Sequence, residues 1–415
     1  MLTNNVYFSI LMAITSSVIF GSYLLENFGV PYVSDGGSPL LKIHLYSYII
    51  MLSYFIVSIK MGWAWLYNTL DKYFQAWLIS LFCVLFVIIY GYFRHGVSGM
   101  AYMVNTFLVS LIIIPLISIL SSCQAERILR LVSYLILINS IIAIFEFLTN
   151  YRFVDVEFKD FSYFRSSALL THPLNNALIT VSLSLVLFNR TFLPGVVYVL
   201  ITLLALFSFG GRSALVIFLF VLFIYCCPKL WKFITSGVKA NKKRVALFTL
   251  TGYLSIFIFF AVILNSGITE RIMSNLYIDG SASARIDVFF LLEQLTVREW
   301  ILGASHRLLE TIELYIGINV IENYFIGWIF TFGLVGAVPL AICVFFPLYK
   351  FAMNGDYSSK LSVLLFLLVG ITNNSLTTKT PVLLLLFCVL YLNTIQDSIP
   401  DSSLTNKNEG GGSNA

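Results

Sequence analysis

The chain has 415 residues, of which 59% are hydrophobic and only 11% charged, with a formal net charge of +5. Soluble domains sit near ~45–50% apolar and ~25% charged, and a globule of this length lacks the interior to hide such an excess. A mean hydropathy of +0.90 therefore excludes an ordinary water-soluble enzyme, and the small positive charge tracks membrane topology without implying a nucleic-acid partner.

Runs at 78–92, 107–120 and 247–264 lack the two-residue alternation of a barrel strand. They suit helices, which need about 20 residues to cross ~30 Å of hydrocarbon. The expected fold class is an all-α integral membrane protein. In chain order, spans are predicted at 6–26, 42–59, 73–93, 100–120, 128–148 and 172–189. The remainder fall at 192–209, 213–228, 245–264, 323–349, 361–377 and 380–396, about twelve in all. The first lacks a basic leader and a small-x-small cleavage site, so it is expected to be retained. One polytopic domain, 1–398, is followed by a polar tail, 399–415, expected to be disordered.

Basic residues set the orientation. The connection 229–244 holds Lys229, Lys232, Lys239, Lys242, Lys243 and Arg244 with no acid, which makes it cytoplasmic. Counting outward, Lys60, Lys72, Arg127, Arg130, Arg190, Lys350 and Lys360 fall on the same side, with both termini. External loops are then expected at 149–171 and 265–322, the second carrying eight acids against four arginines. The six cysteines lie in or beside apolar runs without CxxC spacing, which suits small buried hydrophobes better than disulfides or metal ligands. No GxSxG, HExxH, P-loop or Rossmann signature occurs, nor an Asp-x-Asp cluster, so no metal or cofactor is expected.

Chemistry is expected at the outer rim, where charge is costly. Arg165 and His172 lie in Arg-Ser-Ser-Ala-Leu-Leu-Thr-His-Pro-Leu-Asn-Asn, ahead of a helix. Arg212 lies in Phe-Gly-Gly-Arg-Ser between two spans, and Arg285 opens an amphipathic stretch of the large loop. Guanidinium groups grip phosphate oxygens bidentately, and backbone N–H groups opening a helix add to an anion site. A lipid diphosphate head group fits these features; pairing with loop acids or snorkelling is the alternative. Arg212, in an almost loopless turn with no neighbouring acid, favours function. Glu322 stands at a helix entry, where desolvation suits a general base and the helix dipole equally suits a structural acid. His306 is a second possible base or a solvated loop group, and Glu146 a packing carboxylate or a sugar contact.

The Arg-x₆-His-Pro-Leu-Asn-Asn run, the Ser-Phe-Gly-Gly-Arg-Ser-Ala-Leu turn and Glu-Asn-Tyr-Phe…Phe-Gly-Leu-Val-Gly after a large external loop resemble the O-antigen polymerase (Wzy-type) and O-antigen ligase superfamily. The resemblance covers roughly residues 125–350. It implies a GT-C-like glycosyltransferase of the bacterial inner membrane that joins oligosaccharide units carried on undecaprenyl diphosphate at the periplasmic face. It also implies lipid-linked donor and acceptor as partners, with a chain-length regulator and a flippase as further candidates. Arg165, Arg212 and Arg285 would then bind diphosphate and stabilise it as leaving group, beside His172, Asn323 and Tyr324 as substrate contacts. Glu322 would orient or deprotonate the acceptor hydroxyl. Glu322 stands where ligases place a histidine, which argues for a polymerase, and Asn176 stands where polymerase loops often place a glycine, which weakens Arg165. A ligase and a non-catalytic transporter of the lipid-linked unit are the rival expectations.

Overall fold

The computed structural model describes residues 2–34, 38–154, 164–170, 172–188, 190–237, 242–243, 245–246, 249–250, 253, 292–305, 308, 321 and 323–397. Among these, every regular element is helical. In chain order they are α1 (Leu2–Ile19), α2 (Ser22–Asn27), α3 (Leu45–Met61), α4 (Ala64–Leu70) and α5 (Phe74–His95). A π-turn, Met103–Leu108, opens α6 (Val109–Ser118), and α7 (Ser122–Thr149) follows. Then come α8 (Pro173–Leu187), α9 (Gly195–Ser208), α10 (Arg212–Ser236) and the short α11 (Val297–Leu302). The last are α12 (Tyr324–Asn354), α13 (Tyr357–Gly370) and α14 (Val382–Asp397).

Among the described residues, five helical segments are long and apolar enough to cross a membrane by length and composition: Leu2–Ile19, Ala64–His95, Ser122–Thr149, Arg212–Ser236 and Tyr324–Asn354. The shorter apolar helices include the most enclosed ones. In α8 every residue but Leu174 is buried, and α14 is buried from Val382 to Leu392. A helix apolar all round belongs in the interior, and α14 packs on α6, α7, α8 and α12. The outer surface is apolar too. On α5, Phe82, Phe86, Ile89 and Phe93 form a helical stripe facing outward, with Phe93 82% exposed. Water would penalise that stripe; lipid would not.

The predicted stretch 245–264 lies almost wholly outside the described residues, as does most of the predicted external loop 265–322. Three spans end well away from expectation: the 213–228 stretch continues as helix to Ser236, and two others stop early. The 6–26 stretch stops at Ile19 and resumes as α2, with Gly21 extended between them. The 361–377 stretch ends at Gly370, because the polar Asn-Asn-Ser segment hydrogen-bonds locally: Asn373 Oδ1 accepts from Ser375 N at 3.1 Å. Such side chains compete with the helix ladder.

The 31-residue α12 would be about 46 Å long if straight, well beyond a ~30 Å hydrocarbon layer. It is two helices joined at Gly333, where φ is 62° and ψ −172°. A Cβ there would run into the Ile301 carbonyl, so glycine is needed for both its φ and its lack of a side chain. The kink seats α11 against α12, with Ala304 N donating to Phe330 O at 2.7 Å. Arg94 of α5 holds the same segment through the Gly303 and Ala304 carbonyls, at 2.7 and 2.8 Å. Gly333→Ala is expected to cost about 3 kcal/mol, combining left-handed strain with a backbone clash. A lowered thermal midpoint of the purified protein in detergent checks it.

Polar contacts mark two ends of the bundle. At one, His44, Asn175 and Lys379 line a crevice with Leu170 of the segment that carries Arg165. At the other, Arg190 Nη1 pairs with Glu126, and its Nη2 reaches Asn393 Oδ1 at 3.1 Å. Asn393 in turn donates to Asp356 Oδ1 at 3.0 Å. The start of α1 lies at this second end, through Gln124 donating to Asn4 at 3.1 Å. The N-terminal end of α1 and the C-terminal end of α14 therefore share one side of the bundle.

Candidate functional site

The Arg165 and Arg212 motifs meet. Gly210 has φ +68°, and a Cβ on it would approach the Arg165 side chain to 3.0 Å. A Cβ on Gly211 would sit 2.9 Å from Ala177 of α8. One glycine therefore makes room for an arginine and the other for a helix, which explains the Gly-Gly pair. The two strands of chain are tied by Ser166 N donating to Ser208 O at 2.9 Å. Arg212 follows as the first residue of α10, a turn without an acid. A cation there opposes the helix dipole by about 0.3–1 kcal/mol, while the same N–H groups and guanidinium together favour an anion. Ser213 links the turn to Thr372 at 2.9 Å.

Arg165 is itself buried and rests on a polar frame from α7 and α8. Glu146, fully buried, accepts from Phe153 N at 2.9 Å and from Ser167 N and Ala168 N at 2.8 and 2.9 Å. Asn139 Nδ2 donates to Asn176 Oδ1 at 2.8 Å, and Asn139 Oδ1 accepts from Leu169 N at 3.0 Å. Asn176 Nδ2 donates to Ser167 O at 2.6 Å. Glu146 thus organises the loop that carries Arg165, and Asn176 clamps it through its amide.

His172 takes a different part from its three arginine companions. Burial, and then the Arg165 charge, pull it down from 6.5 to about 4. It is neutral at pH 7, so the grouping with the cations does not extend to it. The unfolded chain titrates near 6.5 and the folded one near 4. Its contribution to stability is therefore complete above the unfolded value and is lost as pH falls between the two, by about 1.4 kcal/mol per unit. His44, which burial also lowers to about 4, acts with the same sign. His172→Gln is expected to flatten part of the loss of thermal stability between neutral and acid pH, as scanning fluorimetry would record.

Asn323 caps α12, its Oδ1 accepting from Phe325 N and Ile326 N at 3.0 and 3.2 Å. Tyr324 is buried, packs its ring tilted against Trp328 with centroids 4.8 Å apart, and gives its N–H to Asn373 O at 3.1 Å. Local structure engages both side chains, one as a helix cap and the other in ring packing. Glu322, Arg285 and His306 lie outside the described residues.

Several basic residues at this end carried no motif. Arg152 donates to the Arg165 carbonyl at 3.3 Å and lies over the Phe164 ring at 4.8 Å. Lys379 reaches the Tyr32 carbonyl across residues far apart in the chain, two residues from the Ser34 carbonyl that Lys42 holds, where hydropathy offers no signal. No protein-family model matches the chain, and no curated protein matches it significantly.

Proposed function

We propose that the chain is a metal-independent polymerase of lipid-diphosphate-linked oligosaccharides, working at the outer face of a bacterial inner membrane. The observation that carries this reading is the meeting of Arg165 and the Gly210-Gly211-Arg212 turn at one end of an apolar helical bundle. Two guanidinium groups at a helix start would grip a diphosphate and stabilise it as it leaves. Glu322 would orient or deprotonate the acceptor hydroxyl, and Arg285 would add a third contact. The enclosed helices α8 and α14 carry no charged residue up to Leu392, which disfavours a transport path through the middle. In this reading the bundle is GT-C-like with about twelve spans and both termini cytoplasmic.

The test is incubation of purified protein with a polyprenyl-diphosphate-linked repeat unit. A ladder of products supports the polymerase. A single transfer to a lipid A-core acceptor makes it a ligase, and movement of the lipid across a vesicle without new bonds makes it a transporter. Glu322→Gln is expected to bind donor and stall transfer; unchanged chain formation removes it from the base role.

A further inference from the structure

A crevice at the same end of the bundle lies apart from the arginine turn. It is lined by Tyr32 and His44 of the α2–α3 connection, Asn175 of α8, and Lys379 and Thr380 ahead of α14. Its enclosed interior is about 10 Å³, and about 330 Å³ when the open mouth is counted. The interior therefore takes a water or a hydroxyl, and a larger group must sit at the mouth.

The crevice is built. Asn105, in the π-turn before α6, accepts from His44 N and Ser47 Oγ at 3.0 and 2.8 Å. It donates to Lys42 O and Tyr32 Oη at 2.9 and 3.2 Å. This fixes the segment that carries Lys42, whose ammonium donates to the Ser34 carbonyl. Lys379 donates to the Tyr32 carbonyl and lies over the Tyr32 ring at 4.5 Å. A peg for that loop needs one cation, and two stand here. Burial, then the Lys42 charge, lowers Lys379 to about 8 against the pull of Glu26. Glu26 is already held by the N–H groups of Val33 and Ser34. Asn175 is only 6% exposed, and its amide oxygen has no hydrogen-bond partner. An unmet buried acceptor costs about 1–3 kcal/mol. A phosphate beside a hydroxyl-bearing sugar answers both features, the phosphate on the lysines and the hydroxyl on Asn175.

We propose that Lys379 and Lys42 form a second phosphate locus, separate from Arg165 and Arg212, for the sugar-phosphate end of a second lipid-diphosphate-linked glycan. This rests on the polymerase reading, in which donor and acceptor each bring a diphosphate. Calorimetric titration of the purified full chain in detergent tests it, with farnesyl diphosphate and inorganic pyrophosphate as probes. Wild type is expected to take two equivalents of farnesyl diphosphate, Arg212→Ala one and Lys379→Gln one, while Lys379→Arg retains both. The isosteric Asn175→Asp places a carboxylate against the lysines and is expected to lose the same equivalent, which keeps the test valid if Lys379→Gln fails to fold. Two equivalents in both Lys379→Gln and Asn175→Asp overturn the second locus. So does a wild type that takes one equivalent and loses it only with Arg212→Ala, and in that case the arginine site stands. No binding by wild type removes the polymerase reading and the locus together. Pyrophosphate filling the Lys379-dependent equivalent as tightly as the lipid overturns the glycan-lipid assignment and leaves a free-phosphate site.

Discussion

Arg212→Ala is expected to abolish long-chain polysaccharide while the protein still folds and inserts. The substitution leaves the Gly210-Gly211 turn, which needs only its glycines and the Ser166–Ser208 bond. Removing a cation from the start of α10 should slightly stabilise that helix, since the side chain opposes the dipole there. What is lost is one charged donor aimed where diphosphate charge develops, an effect of about 100–1,000-fold on turnover. Arg212→Lys keeps the charge without the planar fork and should fall between. Turnover of a polyprenyl-linked repeat unit by purified variants, with size-exclusion profiles as the folding check, decides it. A normal ladder from Arg212→Ala would remove the residue from the site.

The second large effect is on stability. Glu146→Ala removes the acceptor of three backbone N–H groups, of which those of Ser167 and Ala168 belong to buried residues. Two of those donors are thereby left buried without their acceptor, so the cost should be about 3–5 kcal/mol. Glu146→Gln keeps one oxygen and turns its NH₂ on a single N–H, a loss of about 1–2 kcal/mol. Because Ser167 and Ala168 lie two and three residues after Arg165, the Ala variant should also admit proteases between residues 164 and 172. Thermal unfolding in detergent together with limited proteolysis reads both effects. A Glu146→Ala protein with wild-type midpoint and wild-type protection would assign the frame to other contacts.

Most of the helix positions were legible because each is written in one contiguous stretch of apolar residues. The breaks were harder. Gly333 lies in Phe-Gly-Leu-Val-Gly, a run as apolar as its neighbours, and only the approach of Ile301 shows why the helix must bend there. Asn323 and Tyr324 entered as substrate contacts through a resemblance of motifs, and no local pattern showed that one caps α12 and the other packs on Trp328. Asn105 gave no sign of its role, because the His44 and Lys42 groups it joins lie 61 and 63 residues away in the chain.

By itself the amino-acid sequence determined that the chain is helical and too apolar for water, and that Arg212 sits in a tight glycine turn. These are local properties, summed over neighbouring residues. Only the tertiary structure decided that Arg165 lies against that turn, that His172 is neutral, that Glu146 frames the loop, and that Lys379 shares a crevice with His44 and Asn175. Each of those depends on burial or on a contact between segments far apart in the chain. Such contacts are set by how the helices pack, which no local pattern records.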